Sequence, residues 1–402
     1  MPVSANTNFY EGGQDLRYKY LSANDVIYVA DSFLTNAGLF TKYAGTLWTW
    51  GDNSYGRLGL GDNTSRSSPV QVGSLNNWSQ IDFGEESHAV ALRTNGTLWS
   101  WGYNVEGQLG LGNTTSISSP VQVGALTNWL RVSSGDRHCL AVKTDGTLWS
   151  WGQNSIGQLG LNDRTHRSSP VQVGALTNWK EVSCGTSFSV AIKTDGTIWS
   201  WGYNNSGQLG LGNSGAGTNR SSPVQVGSLT DWSQVTTYFE HCLAVKTDGT
   251  LWAWGRNLSG TSTGGQLGLG DTTARSSPTQ VGTLTDWYQV STGQEHTHAV
   301  KTNGTLWAWG NNIDGRLGLG NTTHRSSPVQ LGSLTNWSFV SVGQTHATSI
   351  KTDGTLWAWG QNSAGQLGLG DTTLRSSPVQ VGTTTYWIRA SSGLSGSASI
   401  IR

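Results

Sequence analysis

Five histidines recur at one place in a repeated pattern: His88, His138, His241, His296 and His346 each stand eight residues before the glycine of a GTLW or closely similar string. A ring of imidazoles has the donor chemistry for a metal or for acid–base work. Phe188 and Gly396 fill the same place in two further copies, so the position accepts side chains that neither ligate nor titrate. Buried structural histidines are therefore expected. His296-Thr297-His298 sets two imidazoles on one strand face, a spacing that suits a transition metal, but no third ligand accompanies them. Gly260-Thr261-Ser262-Thr263-Gly264 spells a nucleophile elbow; that motif acts at a strand-to-helix turn, and here it interrupts a glycine-rich excursion. Gly210, Gly212 and Gly215 match GxGxxG with no helix behind them to meet a pyrophosphate. Arg66, Arg167, Arg220, Arg275, Arg325 and Arg375 each precede an SSP triplet, and a structural or solvated ring is expected there ahead of an anion site. Cys139, Cys184 and Cys242 have no metal-ligand spacing and are too few for a disulfide framework. The expectation is a non-enzymatic chain with no catalytic residue, metal or cofactor.

All of these positions are set by one repeat. GTLWTWG at 45–51 returns with small changes at 96–102, 146–152, 196–202, 249–255, 304–310 and 354–360. Each copy leads into a GQLGLG-like run and then SSPVQVG or a close variant. The 21 Trp divide as two per LWxWG plus Trp78, Trp129, Trp179, Trp232, Trp287, Trp337 and Trp387. With 55 Gly in 402 residues and 12% charged side chains, against about 7% Gly and about 25% charged in ordinary domains, the chain reads as short strands and tight turns. Lys+Arg and Asp+Glu are both 24, so the basic stripe of a nucleic-acid binder is missing. No apolar stretch approaches the roughly 18 residues of a membrane span. Neither nucleic acid nor membrane insertion is expected, and no secretion signal is read at the start.

Each unit predicts four strands. In residues 129–174, Trp129 to Ser134 and His138 to Thr144 alternate apolar and polar, and Asp145-Gly146 suggests a two-residue hairpin turn with positive φ angles. Thr147 to Gly152 and Ser168 to Val173 follow, the last an edge strand because of Pro170. Seven such units without helical periodicity predict an all-β, seven-bladed β-propeller of four-stranded blades. The first unit contains only its last two strands and the chain stops at Arg402, where another GTLW would begin. Strands 387–392 and 397–402 should therefore complete the first blade. The two Trp of each LWxWG strand share a face, with a small residue between them, and should form the main packing between blades.

VSSGDRHCLAV at 132–142, VSTGQEHTHAV at 290–300 and SVGQTHATSI at 341–350, with the recurring xNxxGQLGLG, resemble the signature of the regulator of chromosome condensation propeller family over 45–402. The repeats are most similar to bacterial and phage members, including the propeller-type β-lactamase inhibitor. The resemblance implies a seven-bladed propeller that acts by binding another protein. It does not imply nucleotide exchange, because no wedge hairpin or basic tail is present. Nor does it imply photoreception, because no counterpart of the Trp-Arg-His cluster of the plant ultraviolet-B receptor is found.

Function should show where the repeats depart from one another. In a four-strand meander, the turns between strands 1 and 2 and the excursions between strands 3 and 4 emerge on one face. That face varies, and its candidate binding residues are Tyr55, Tyr103, Val105, Ile156, Tyr203, Phe239, Glu240, Arg256, Leu258, Ile313 and His324. The opposite face, with the Thr-Asp-Gly hairpins and VGxLTxW crossings, is nearly constant. Residues 1–44 form a separate segment: Val26, Ile27, Val29, Phe33 and Leu34 lie on an apolar stripe at helical spacing, behind Ser22-Ala-Asn-Asp25 and before Gly38. They are expected to make one amphipathic helix that anchors the chain to a protein partner, on the side opposite the variable loops. The expectation for the whole chain is an attachment module. In it the arm joins a homo-oligomeric or virion assembly, and the propeller presents its variable face to a protein or glycan target, as in a phage tail fibre, receptor-binding or decoration protein. The alternative is a free protein-binding propeller, such as an inhibitor of a bacterial enzyme, with a cytoplasmic or extracellular bacterial location.

Overall fold

The computed structural model describes residues 44–258 and 264–402. Residues 1–43, most of Leu258–Gly264 and the whole predicted arm helix lie outside them. Among the described residues the strands form seven antiparallel four-stranded sheets. Six blades run in chain order from an inner strand beginning at Trp78, Trp129, Trp179, Trp232, Trp287 or Trp337 to an outer strand ending at Gln122, Gln172, Gln225, Gln280, Gln330 or Gln380. These are blades 2 to 7. Blade 1 combines Thr46–Gly51 and Arg66–Gln71 with Trp387–Ser392 and Gly396–Ile401. Its seam is a regular ladder, with Leu47 opposite Ile400, Thr49 opposite Ala398 and Gly51 opposite Gly396. The first two and the last two described strands thus close the ring.

The packing between blades follows from the second Trp of LWxWG. Trp50, Trp101, Trp151, Trp201, Trp254, Trp309 and Trp359 are fully buried. Each indole N–H donates to a backbone carbonyl of the preceding blade: Trp101 to Arg57, Trp151 to Gln108, Trp201 to Gln158, Trp254 to Gln208, Trp309 to Gln266, Trp359 to Arg316 and, across the seam, Trp50 to Gln366, all at 2.8–3.0 Å. The second glycine of each GQLGLG-like run makes room for that ring. At Gly160, φ is +72° and an added Cβ would sit 2.8 Å from Trp201 Nε1. The first Trp stays half-buried, in blades 3 to 7 under a lysine and in blade 2 under Arg93; Lys143 Nζ, for example, lies 3.5 Å from the Trp149 ring centroid.

Two local details differ from the sequence reading. The Asp145-Gly146 hairpin has a three-residue loop, because Lys143 N–H bonds Thr147 O, Gly146 N–H bonds Lys143 O, and of the pair only Gly146 has positive φ. This is the turn-plus-glycine-bulge loop that stands next in frequency to the two-residue turns. Pro170 sits inside the outer strand Arg167–Gln172, where the register shifts between Arg167 and Val171, so the missing N–H falls at an irregularity on an open edge. The blade crossings carry a further regularity: Leu75, Leu126, Leu176, Leu229, Leu284 and Leu334 are all exposed.

Candidate functional site

The histidine ring is internal. His88, His138, His241, His296, His298 and His346 are fully buried. Burial pushes the pKa of His88, His138, His241, His298 and His346 down to about 3, and that of His296 well below its ordinary value. They are neutral spacers between blades: His138 Nε2 meets Ser189 Oγ at 3.0 Å, His346 Nε2 meets Ser397 Oγ at 2.8 Å, and His88 Nε2 meets Cys139 Sγ at 3.4 Å. The His296 and His298 rings stand edge to face, 5.6 Å apart. The buried cysteines are equally structural. Cys139 and Cys242 donate to Gln108 O and Gln208 O, Cys184 donates to Ser133 O, and burial raises all three thiol pKa values.

Around the axis, residues of the inner strands link each blade to the next. Ser133 Oγ accepts from Cys184 N–H, Ser183 Oγ from Thr237 N–H, Ser291 Oγ from Val342 N–H, Ser341 Oγ from Ser392 N–H and Ser391 Oγ from Phe83 N–H. Thr236 meets Thr292 hydroxyl to hydroxyl at 3.1 Å. In blade 2 the place is taken by a carboxylate, Asp82, which accepts from Ser134 N–H at 2.8 Å and whose pKa burial raises to about 6.

The departures from the repeat converge just above this ring. Glu85, on the first turn of blade 2, reaches across the axis. Its Oε1 accepts from Phe239 N–H of blade 5 at 2.9 Å, and its Oε2 accepts from the Thr186 hydroxyl of blade 4. Burial pushes its pKa up to about 8; the Thr186 hydroxyl and Phe239 N–H oppose this, while Asp136 and Glu240 add to it. Asp136 is pushed up to about 7, again chiefly by burial, with Glu86 adding. In blade 5, Tyr238-Phe239 stands where the other blades have glycine followed by a mostly polar residue. Phe239 has φ of +52° and Tyr55 φ of +60°. Left-handed backbone at a bulky aromatic costs about 1–3 kcal/mol and persists only where the surroundings impose it, most often at functional sites.

Two polar-aromatic clusters flank the axis. In the first, the Tyr55 and Tyr103 rings lie 4.7 Å apart, Arg137 stacks 5.8 Å from Tyr103, and the same guanidinium pairs with Glu86 at 2.5 Å and Glu106 at 3.7 Å. Glu106 also meets His166 Nδ1 at 2.7 Å. Beneath them Arg57, nearly buried, pairs with Asp52 at 2.8 Å and donates to Ser87 Oγ at 2.6 Å. In the second, Arg256 lies 5.3 Å from the Phe239 ring and 3.3 Å from Glu240, which also accepts from Ser206 Oγ.

The structure therefore brings Tyr55 together with Tyr103, and Phe239 and Glu240 together with Arg256. Val105, Leu258 and Ile313 are exposed, Ile156 is half-buried, and Tyr203 packs half-buried against the core of its blade. The His324 imidazole holds its own loop, accepting from Asn312 N–H at 2.9 Å. Val26, Ile27, Val29, Phe33 and Leu34 lie outside the described residues. Arg57 and Glu106 belong to the site and are not candidates of the sequence reading, while Glu85, Asp136 and Arg137, which stand in doublets that vary on the same face, belong to it without being among the candidate binding residues. The signal for Arg57 was present, since GQLGLG reads GRLGLG in that copy; the reach of Glu85 across three blades had none.

The fold has known counterparts. The sequence profile described as RCC1-like domain matches residues 39–264 and 130–399. The chain is 36% identical over 117 residues to Protein RCC2 homolog of Xenopus laevis, covering 28% of this chain and 23% of that protein. It is 34% identical over 275 residues to the ultraviolet-B receptor UVR8 of Arabidopsis thaliana, covering 66% of this chain and 60% of the receptor. It thus spans less than two thirds of the length of either relative. The Prp20p structure from Saccharomyces cerevisiae, described with its binding properties to Gsp1p and histones, superposes with a TM-score of 0.76 at 20% identity, over 90% of this chain and 92% of that one. With a family profile spanning nearly all of its seven blades, the chain belongs to the RCC1-like domain family.

Proposed function

We propose that this propeller is a non-enzymatic binding module that recognises a macromolecular target with its variable face, centred on Tyr55, Tyr103, Arg137, Phe239 and Arg256. The supporting observation is the pair of aromatics held in left-handed backbone conformations, each beside a stacked aromatic or arginine on a scaffold that repeats elsewhere without them. Tyr and Arg at the centre of a contact are the residue types that supply most binding energy. A protein target fits the aromatic and ion-paired surface, and Prp20p, whose fold this chain shares, binds the proteins Gsp1p and histones.

In our reading the display is carried by a larger assembly. Residues 1–44, with the stripe Val26, Ile27, Val29, Phe33 and Leu34, serve as the arm that joins a virion, and the propeller faces outward as an attachment or decoration protein. The sparsely charged sequence, rich in Ser, Thr, Asn and Trp, supports that reading. A free inhibitor-like propeller is the alternative.

The test has two parts. Tyr55→Ala with Tyr103→Ala should weaken binding to the native partner at least tenfold, from about 1–4 kcal/mol lost per anchor, while Leu176→Ala with Leu284→Ala on the opposite rim leaves it unchanged. Val26→Asp with Phe33→Asp should abolish co-sedimentation with particles and spare partner binding. Equal losses from the two face variants refute the face assignment, and normal co-sedimentation of the arm variant refutes the anchoring role.

A further inference from the structure

The outer wall of the propeller repeats a set of parts where one blade meets the next: an arginine that opens the outer strand (Ile117 in blade 2), a lysine that ends the next blade's second strand (Arg93 in blade 2, Ile401 in blade 1), and that blade's half-buried Trp. In four grooves the arginine is neutralised by an aspartate four residues earlier: Arg66 by Asp62, Arg167 by Asp163, Arg275 by Asp271 and Arg375 by Asp371, at 2.5–2.6 Å. In two, the lysine is neutralised: Lys246 by Asp231 at 3.4 Å and Lys301 by Asp286 at 3.1 Å. The groove between blades 6 and 7 has lost both carboxylates. Asn321 stands at the first place and Asn336 at the second. Arg325 donates to His324 O at 3.2 Å, and Lys351 Nζ rests 3.7 Å over the Trp357 ring. The nearby Asp353 carboxylate is engaged by Thr355 N–H at 3.0 Å and the Thr355 hydroxyl at 2.7 Å.

The same groove contains a cavity of about 540 Å³, lined among others by Arg325, Lys351, Asn321, Trp357, Leu334 and Pro378. That volume is in the range of small-ligand sites. Two cations whose groove has neither of the aspartates that pair their counterparts elsewhere, with the one nearby carboxylate, Asp353, engaged by Thr355, provide for one anionic group. Indole, leucine and proline form an apolar wall, and the Asn321 amide, with Gln330 and Ser377 on the same lining, offers hydrogen bonds to hydroxyls. An apolar-faced ring bearing hydroxyls and one anionic substituent satisfies all three.

We propose that this groove is a binding site for one acidic saccharide residue, a hexose ring carrying a carboxylate or sulfate held between Arg325 and Lys351. The site shares no residue with the axial clusters and does not depend on the function proposed for them.

Calorimetric titration of the full chain with a short oligogalacturonide, a sulfated galacto-oligosaccharide and the neutral galacto-oligosaccharide tests it, and the two acidic arms tell carboxylate from sulfate. One acidic ligand should bind once per chain, at least tenfold more tightly than the neutral one, and weaken with salt. Asn321→Asp installs the ion pair that four sister grooves already tolerate, so it should leave the melting temperature unchanged and weaken binding at least tenfold. Asp163→Asn frees Arg167 in a groove where Asn178 stands at the place of Asp231 and Asp286, and should raise the stoichiometry to two. The proposal is overturned if neither acidic ligand binds, if the neutral ligand binds equally, if inorganic sulfate displaces the saccharide at equal concentration, if Asn321→Asp leaves the affinity intact, or if Asp163→Asn adds no site.

Discussion

A buried titratable side chain stabilises or destabilises the fold according to which protonation state the interior accepts. The six buried histidines are neutral when folded and bind protons near pH 6.5 when unfolded. As pH falls below about 6.5 the unfolded state takes up more protons, so stability drops with acid. Glu85, Asp136 and Asp82 act in the opposite sense. Their folded pKa values, about 8, 7 and 6, lie above their unfolded ones, so they contribute stability below the unfolded values near pH 4 that is lost as pH rises through the folded values. Six groups outweigh three below pH 6, and only the acids still titrate in the folded state above pH 6.5. Chemical denaturation across pH 4–9 should therefore show maximum stability near pH 7, where protons on the unfolded histidines balance those on the folded acids, with an alkaline decline ending near pH 8. Glu85→Gln keeps an acceptor for Phe239 N–H and has no proton to lose, so its stability should hold level through pH 8 without that decline. A Glu85→Gln profile identical to that of the parent chain would contradict the axial bridge. The structural role of the histidines was legible in the sequence, because Phe188 and Gly396 share their place. Glu85 was not: a hydrogen bond to a residue 154 positions away is set by ring closure, not by local pattern.

The strands were legible because their alternation is strict, and the blade count because the repeat is nearly exact in length. Turn type was less so. Asp-Gly is compatible with both two- and three-residue loops, and the φ of the aspartate decides between them. The grooves show the same limit. Six arginines in register look like one uniform ring, and only the partner four residues earlier distinguishes Arg325 from Arg375. At this scale the contact between blades is the energetic unit, and Gly160 tests it. Alanine there adds a Cβ 2.8 Å from the Trp201 indole nitrogen at a φ of +72°, so Gly160→Ala should lower stability by roughly 1–3 kcal/mol or more. Thermal melting of this variant checks it; an unchanged melting temperature would mean the tryptophan ring yields, and that it is not what fixes blade spacing.

Closure determines whether seven blades behave as one cooperative body. Blade 1 is completed by Trp387–Ser392 and Gly396–Ile401, and the Trp50 ring is packed against Trp387 at 6.1 Å between centroids. A chain ending at residue 386 loses that partner and leaves the edge of Thr46–Gly51 open, so it should melt broadly and at lower temperature. A sharp transition at the full-length temperature would contradict the closed ring. The same closure makes the propeller two-faced, with variable residues gathered on one rim and six periodic leucines on the other. The central claim is that recognition belongs to the variable rim, and hydrogen–deuterium exchange of the full chain with and without its natively purified partner tests it most directly. The account predicts slowed exchange at 52–57, 103–106, 136–137 and 239–240. Protection confined to the leucine crossings near 75, 126, 176, 229, 284 and 334, with the variable loops unchanged, would contradict it.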